Sequence, residues 1–397
     1  MTASLHIAIV TETFPPEVNG VAMTLGRMVQ GLVARGHRVS LTRPRQSTGD
    51  IPPAPALFAT TLVRGLPIPG YAGLKFGLPA PRLLRRQWRA DRPDVVQVVT
   101  EGPLGASAIA AARDLGIPVV SEFHTNFHAY SRHYGFAWLE NLVAVHLRRL
   151  HNRSGMTLVP SHQLGVDLMR RGYQNIRVVA RGVDTALFNP ARRSSELRTA
   201  WKVGDGDLVV THVGRLAPEK NLPLVFSAFE AIRRYAPGAR LVLVGDGPSR
   251  RRLEQQHPHC IFAGMRHGED LATHYASADL FLFPSMTETY GNVTLEALAS
   301  GLPVVAYRLA AAAELIRPGA NGMLAEPGAS DQFVRVALDL VTRPGVLQRS
   351  AEAAPQSVAT LDWERIHDRL VAALREAIAP PVVPATNNES AFRFLPD

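Results

Sequence analysis

Short apolar runs alternate with helix-periodic segments in two successive arrays along this chain, and few folds accept that pattern. A strand buried in a parallel sheet reads as a nearly continuous apolar run, because helices cover both faces of the sheet. Leu5-His-Ile-Ala-Ile-Val10 is such a run. From Gly20 onward, Val21, Leu25, Met28, Val29, Leu32 and Val33 recur at helical spacing, Gly36 offers a stop, and residues 37–41 read as the next strand. Strand runs follow at 95–99, 117–121, 156–159 and 176–180, separated by helical patterns near 103–115, 136–152 and 162–171. The alternation then restarts, with strands at 208–213, 241–244, 260–263, 280–283 and 304–307 and helices near 221–235, 248–256, 268–276 and 291–300. The expectation is an α/β protein of two Rossmann-like domains facing each other across a cleft, with ligand at the C-terminal edges of the strands. Residues 44–81 are Pro-rich and read as irregular surface structure, and the join between the arrays falls near 182–205.

Composition excludes several classes. The 397 residues suit two domains, and 46% hydrophobic with 19% charged residues excludes global disorder. A single cysteine, Cys260, excludes a disulfide framework and a Cys-rich zinc module. No basic segment followed by an apolar one opens the chain, and no run approaches 18 apolar residues, so a cytoplasmic location is expected. Residues 1–185 hold 21 Lys and Arg against 11 Asp and Glu, whereas the remainder holds 22 against 23. Nearly all of the net charge of +9 therefore sits on the first half, a field that attracts a polyanion or an anionic membrane. No recognition-helix or aromatic RNA-binding signature accompanies it, so nucleic acid is not the expected partner.

Chemistry is expected in the loops that follow strands. Gly214-Arg215-Leu-Ala-Pro-Glu-Lys220-Asn221 follows the first strand of the second array. Glycine permits close backbone approach, and Arg215 and Lys220 add two cations to a helix start that already favours anions, which makes a diphosphate clamp. Pro284-Ser-Met-Thr-Glu288-Thr-Tyr-Gly291-Asn-Val-Thr-Leu-Glu296 also follows a strand. Amides of Gly291, Asn292 and Val293 open a helix there, while Glu288 and Glu296 can accept hydrogen bonds from hydroxyls at opposite ends of an extended ligand. Gly245-Asp246-Gly247-Pro248 reads equally as a sharp turn or as a donor contact. In the first array, Asn19-Gly20-Val21 opens a helix, and Ser121-Glu-Phe-His124-Thr-Asn-Phe-His128-Ala-Tyr130 is dense in polar and aromatic groups, with His124 best placed for an active-site role and His128 for a structural one. His257, His259 and Cys260 lack the spacing and the fourth ligand of a zinc site, so no metal is expected. Neither a Walker A motif, a nucleophile elbow nor a dinucleotide fingerprint is present.

Together these segments resemble the retaining GT-B glycosyltransferases of family 4. Arg215 and Lys220 match the phosphate-binding pair, Glu288 and Glu296 the E-x7-E motif, and Glu12-Thr-Phe-Pro-Pro-Glu-Val-Asn-Gly20-Val the glycine loop. The wording around Glu288 and Phe-His124-Thr-Asn looks closest to bacterial lipid glycosyltransferases, among them GDP-mannose-dependent α-mannosyltransferases, glycosyl-diacylglycerol synthases and sulfoquinovosyltransferases. The resemblance implies that Arg215 and Lys220 hold the donor diphosphate, beside Gly214. Glu296 meets the ribose and Glu288 the sugar 3-hydroxyl, near Gly291, Asn292 and Val293. The backbone around Met265 and Arg266 meets the base, Gly20 lies by the diphosphate, and His124 by the sugar 6-position. It also implies a first domain at 1–185 on the acceptor side, a nucleotide-sugar domain at 186–360, a helix at 361–379 crossing back to the first domain, and a loose tail at 380–397. No cofactor is implied beyond the donor, which is GDP- or UDP-linked.

The expected reaction is metal-independent hexosyl transfer to a membrane lipid, with the leaving phosphate's charge met by cations instead of a divalent ion. Trp88 among Arg82, Arg85, Arg86 and Arg89, and Phe136, Trp138, Leu142 and Val145 ahead of Arg148 and Arg149, suit peripheral contact with an anionic bilayer. The alternative is a soluble mannosyl- or glucosyltransferase acting on a small molecule or polysaccharide. A GT-B epimerase and a non-catalytic nucleic-acid binder are the readings from other classes.

Overall fold

A computed structural model describes residues 3–17, 19–47, 49–50, 58–67, 75–124, 140–204 and 206–379. The chain divides into two compact units, one running to Arg181 and resuming at Trp363, the other Gly182–Asp362.

In the first unit, β1 (His6–Val10), β2 (Arg38–Pro44) and β3 (Ala59–Val63) are followed by a hairpin of β4 (Gly65–Pro67) and β5 (Lys75–Gly77), and then by β6 (Val95–Val98), β7 (Val119–Glu122), β8 (Met156–Val159) and β9 (Ile176–Val178). The main sheet runs β3-β2-β1-β6-β7-β8-β9, every pairing parallel. Helices α1 (Gly20–Ala34), α2 (Pro81–Ala90), α3 (Pro103–Asp114), α4 (Glu140–His151) and α5 (His162–Arg170) connect the strands. Asn19 caps α1 by accepting from the Ala22 amide at 2.9 Å, and Gly36 takes φ +79 just past its end. The order of strands reverses between β1 and β6, so the loops after these two strands diverge and leave room at the sheet's edge.

The described parts of the segment 44–81 are more regular than its prolines suggest. β2 continues to Pro44, β3 adds an edge strand, and β4 and β5 pair antiparallel. Proline is tolerated at strand ends and edges, where no ladder donor is needed.

In the second unit, α6 (Ser195–Ala200) precedes β10 (Val209–Val213), and the array continues through α7 (Leu222–Tyr235), β11 (Arg240–Val244), α8 (Arg250–Gln256), β12 (Ile261–Gly264), α9 (Gly268–Ala276), β13 (Leu280–Phe283), α10 (Asn292–Ala299), β14 (Val304–Tyr307), α11 (Ala310–Leu315), β15 (Gly322–Ala325), α12 (Ser330–Thr342) and α13 (Val346–Ala353). The parallel order is β12-β11-β10-β13-β14-β15, with its reversal between β10 and β13. A core of Val210, Leu224, Phe229, Leu241, Leu282, Phe333 and their neighbours packs α7 and α12 on one face.

The last helix, α14 (Trp363–Ile378), belongs to the first unit. It packs on α1 where Gly31 leaves space: a side-chain carbon there would sit 2.1 Å from the His367 ring. His367 Nε2 lies 3.1 Å from the Arg27 carbonyl oxygen, and Arg35 pairs with Glu364 and Asp368, both at 2.9 Å. The helix expected to cross back to the first domain does so through this packing.

One expectation about the surface is corrected. Trp88 is 5% exposed and packs with Leu84 in the first unit's core against α3, so it does not face a bilayer. Helix periodicity explains this, because Leu84 and Trp88 are four residues apart on one face while Arg82, Arg86 and Arg89 lie exposed on another. On α4, Leu142 is 66% exposed and Arg148 and Arg149 are exposed. Phe136 and Trp138, His128 and Tyr130, and the tail from Pro380 lie outside the described residues.

Candidate active site

β10 and β13 are the neighbours at which the second unit's strand order reverses, and the two singled-out loops leave from their C-terminal ends. The fold therefore brings Arg215, Lys220 and Glu288 to one edge although up to 73 residues separate them in sequence. Backbone packing fixes the edge. Gly245, at φ +132, has no room for a side chain, since a Cβ would lie 2.0 Å from the Gly214 carbonyl oxygen. The Leu216 amide donates to the Asp246 carbonyl at 2.9 Å, so the loops after β10 and β11 brace each other. This contact accounts for Gly245 by turn geometry.

Pro218–Lys220 form a 3-10 turn, and Asn221 adopts a left-handed conformation (φ 52°, ψ 43°) before α7 begins. Lys220 thus projects from the turn ahead of the helix. Its ammonium pairs with Glu288 Oε1 and stands 5.7 Å above the centre of the Phe283 ring. Ser285 Oγ donates to the same carboxylate oxygen at 2.8 Å. Arg215 lies 3.6 Å from Glu219, and its side chain stays 48% exposed. Gly291, at φ +90, caps α10 in a left-handed conformation that suits glycine, and it brings no capping side chain to the helix start formed by Asn292 and Val293. The Lys220–Glu288 pair thus joins the two loops, one of which also carries Arg215 while the other leads into the α10 start.

Glu296 lies on α10 as the spacing predicts, and accepts a hydrogen bond from the Tyr275 hydroxyl at 2.9 Å. Burial raises its pKa, and the Tyr275 bond opposes the shift. Met265 follows β12 and is exposed, while Arg266 donates to the Ala263 carbonyl at 2.9 Å and pairs with Asp270 at 3.0 Å. His257 stacks on Phe226 with ring centres 3.6 Å apart, and His259 pairs with Glu230 at 3.0 Å.

In the first unit, Gly20 opens α1 after β1, and no described atom lies within 4 Å of where its side chain would be. Packing does not demand glycine there. His124 follows β7 and is buried. Arg181 Nη2 donates to its Nδ1 at 2.9 Å; since guanidinium cannot accept, the ring proton sits on Nε2, which donates to Glu122 Oε2 at 2.6 Å. Gln97 donates to the other Glu122 oxygen, and Arg181 Nη1 lies 3.5 Å from the carboxylate. Burial alone would raise the Glu122 pKa, but the hydrogen bond from His124, the charge of Arg181 and the hydrogen bond from Gln97 outweigh it and hold the group below its ordinary value. Burial and then Arg181 lower the pKa of His124, so the ring is neutral and Arg181 balances Glu122. Sequence reading singled out His124 but not Glu122, Gln97 or Arg181. The one signal available was a carboxylate inside an apolar strand run.

The residues present suit a sugar nucleotide: cations, a helix N-terminus and carboxylates that accept from hydroxyls. Comparison with known proteins decides the class. A family model described as glycosyl transferases group 1 matches residues 207–343, and one described as glycosyltransferase family 4 matches residues 18–187. A GDP-mannose-dependent alpha-mannosyltransferase of Mycobacterium tuberculosis is 35% identical over 375 residues, covering 92% of this chain and 95% of that protein. The chain belongs to the group 1, family 4 glycosyltransferases. Within the family, an alpha-monoglucosyldiacylglycerol synthase of Streptococcus pneumoniae is 29% identical across 76% of this chain and 71% of its own length. The sucrose-phosphate synthase of Thermosynechococcus elongatus superposes with a TM-score of 0.77 at 19% identity, over 94% of this chain and 98% of the other, which shows the GT-B fold. This glycosyltransferase is a hexosyltransferase that draws its sugar from a nucleotide-linked donor.

Proposed function

We propose that this glycosyltransferase moves a hexose from a nucleoside-diphosphate sugar to a membrane lipid, with retention of configuration and without a divalent cation. The observation that carries the reading is the Lys220–Glu288 pair beside Arg215 at the switch point of the second sheet. Arg215 and Lys220 hold the diphosphate, and the α10 start (Gly291, Asn292, Val293) adds its amides. Glu288 accepts from a sugar hydroxyl, Glu296 from the ribose, and the backbone at Met265 and Arg266 meets the base, with Gly214 close to the phosphates. In the first unit, Gly20 offers its backbone to the donor, whereas the ring of His124, expected to bond the sugar, has both nitrogens engaged by Glu122 and Arg181.

The chemistry follows from charge. As the bond from the anomeric carbon to the phosphate oxygen breaks, negative charge grows on the leaving diphosphate, and cations fixed in advance stabilise it more in the transition state than in the ground state. The acceptor oxygen bonds to the anomeric carbon from the face the phosphate leaves, and its proton passes to a phosphate oxygen. Glu288 is then free of any nucleophilic duty.

The lipid acceptor is supported by the diacylglycerol synthase relative and by exposed Leu142 beside Arg148 and Arg149 on α4. A screen of GDP- and UDP-sugars against lipid extract tests the donor and acceptor together, with a glycolipid as the expected product. Flotation with anionic vesicles at low salt tests the surface. Binding is expected, and weakened about tenfold by Leu142→Asp. Protein that stays off the vesicles and glycosylates a small acceptor overturns the lipid reading.

A further inference from the structure

His212, the penultimate residue of β10, lies beneath the Gly214 turn and is fully buried. Its Nδ1 lies 2.9 Å from the Leu282 carbonyl oxygen, which can only accept, so Nδ1 carries the proton and Nε2 a lone pair. That Nε2 is closed to solvent and has no hydrogen-bond partner among the described residues. A buried acceptor left this way costs free energy, and native proteins rarely keep one without a use.

Nε2 is aimed toward the donor edge. It lies 3.6 Å from the position a Gly214 side-chain carbon would occupy. The ring stacks on Phe283, centres 6.0 Å apart, and the Lys220 ammonium stands over that same Phe283 ring. Burial first, then the charge of Lys220, lower the His212 pKa to about 4, with the Leu282 carbonyl and Glu288 opposing the shift. The ring is neutral at physiological pH and can accept. The charged groups that act on it are Lys220 and Glu288. In the structure Lys220 is paired with Glu288, yet a bound sugar nucleotide asks these two groups to serve different parts of the ligand.

We propose that His212 is a positioning residue of the donor site: with a nucleoside diphosphate bound, its Nε2 accepts a hydrogen bond from the Lys220 ammonium and holds that cation on the phosphates while Glu288 turns to the sugar. The inference rests on the reading that Lys220 holds the diphosphate. It assigns a ligand-dependent contact to a residue that touches no substrate itself.

The test is nitrogen NMR of the full chain labelled in histidine, with the His212 signals assigned through His212→Gln. Adding GDP or UDP is expected to move the His212 Nε2 resonance upfield, as an unprotonated ring nitrogen does on accepting a hydrogen bond, and Lys220→Ala is expected to abolish the movement. By calorimetry, His212→Phe keeps the stacking and removes the acceptor, and should weaken nucleotide binding about fivefold. His212→Gln, which restores an acceptor oxygen, should recover part of that loss. A stationary resonance in wild-type protein that binds nucleotide in a Lys220-dependent way overturns the inference and leaves the donor site standing. Nucleotide binding unaffected by Lys220→Ala overturns the donor-site reading itself.

Discussion

The two units carry the same kind of doubly wound sheet and put their charges to opposite uses. At the edge of the second sheet, Arg215 stays half exposed, and Lys220 pairs with Glu288, which also accepts from Ser285. At the edge of the first, Glu122, His124 and Arg181 are buried; both ring nitrogens of His124 are engaged within the trio, Glu122 Oε2 meets His124 and Arg181, and Gln97 donates to Glu122 Oε1. Topology supplies the location, but exposure decides whether charge is within reach of a ligand or is spent on the fold. The first edge is a polar core that fixes His124, and the second keeps its charges nearer the surface.

The comparison breaks most visibly in stability. Glu122→Ala leaves Arg181 buried without its counter-charge and should destabilise the protein by about 3–5 kcal/mol, read as the shift in urea midpoint at pH 7. If the midpoint does not move, the first edge is not the self-satisfied core described. In the second unit, Lys220→Ala and Glu288→Ala should each cut transfer by at least about 10²–10³-fold with the urea midpoint close to wild type. A large loss of stability with activity per folded molecule intact would reverse the contrast.

The pH dependence of folding sharpens it further. Burial pushes Glu12 up to about 7, against the Gly77 and Leu104 amides that it accepts from. A carboxyl whose folded pKa exceeds its unfolded one costs nothing below about 4.5 and its full penalty above about 7, so stability falls as pH rises through that window, by roughly 3 kcal/mol. Glu122 has the opposite sign, contributing stability above its unfolded pKa and losing it as pH falls through its lowered folded one. His124 and His212, held neutral by burial, favour the folded state more as pH rises, so the difference between wild type and Glu12→Gln isolates the Glu12 slope. Equal slopes in the two proteins from pH 5 to 7.5 would show that Glu12 ionises as it does in the unfolded chain.

Much of this arrangement was legible in the sequence, for definite reasons. Runs such as Leu280–Phe283 sit between helices on both faces and so carry no polar positions to blur them. The loops after β10 and β13 stood out because cations and carboxylates follow strand ends directly. Three things were hidden. The edge strand β3 and the three-residue strands β4 and β5 are short and only partly buried, so periodicity fails there. Trp88 looked available to a bilayer because four arginines surround it in sequence, while helix geometry turns it inward. His212 and Arg181 gave no signal, since a histidine inside an apolar strand and an arginine past one gain meaning only from what tertiary packing sets against them.

We propose above that fixed cations of this chain, and not a metal ion, neutralise the departing diphosphate. The most direct test is the transfer rate from the nucleotide sugar in excess chelator, wild type beside Lys220→Ala. The account predicts an undiminished wild-type rate and a variant slowed by two orders of magnitude or more. A wild-type rate that collapses in chelator and returns with magnesium, or a variant that keeps pace, would contradict it.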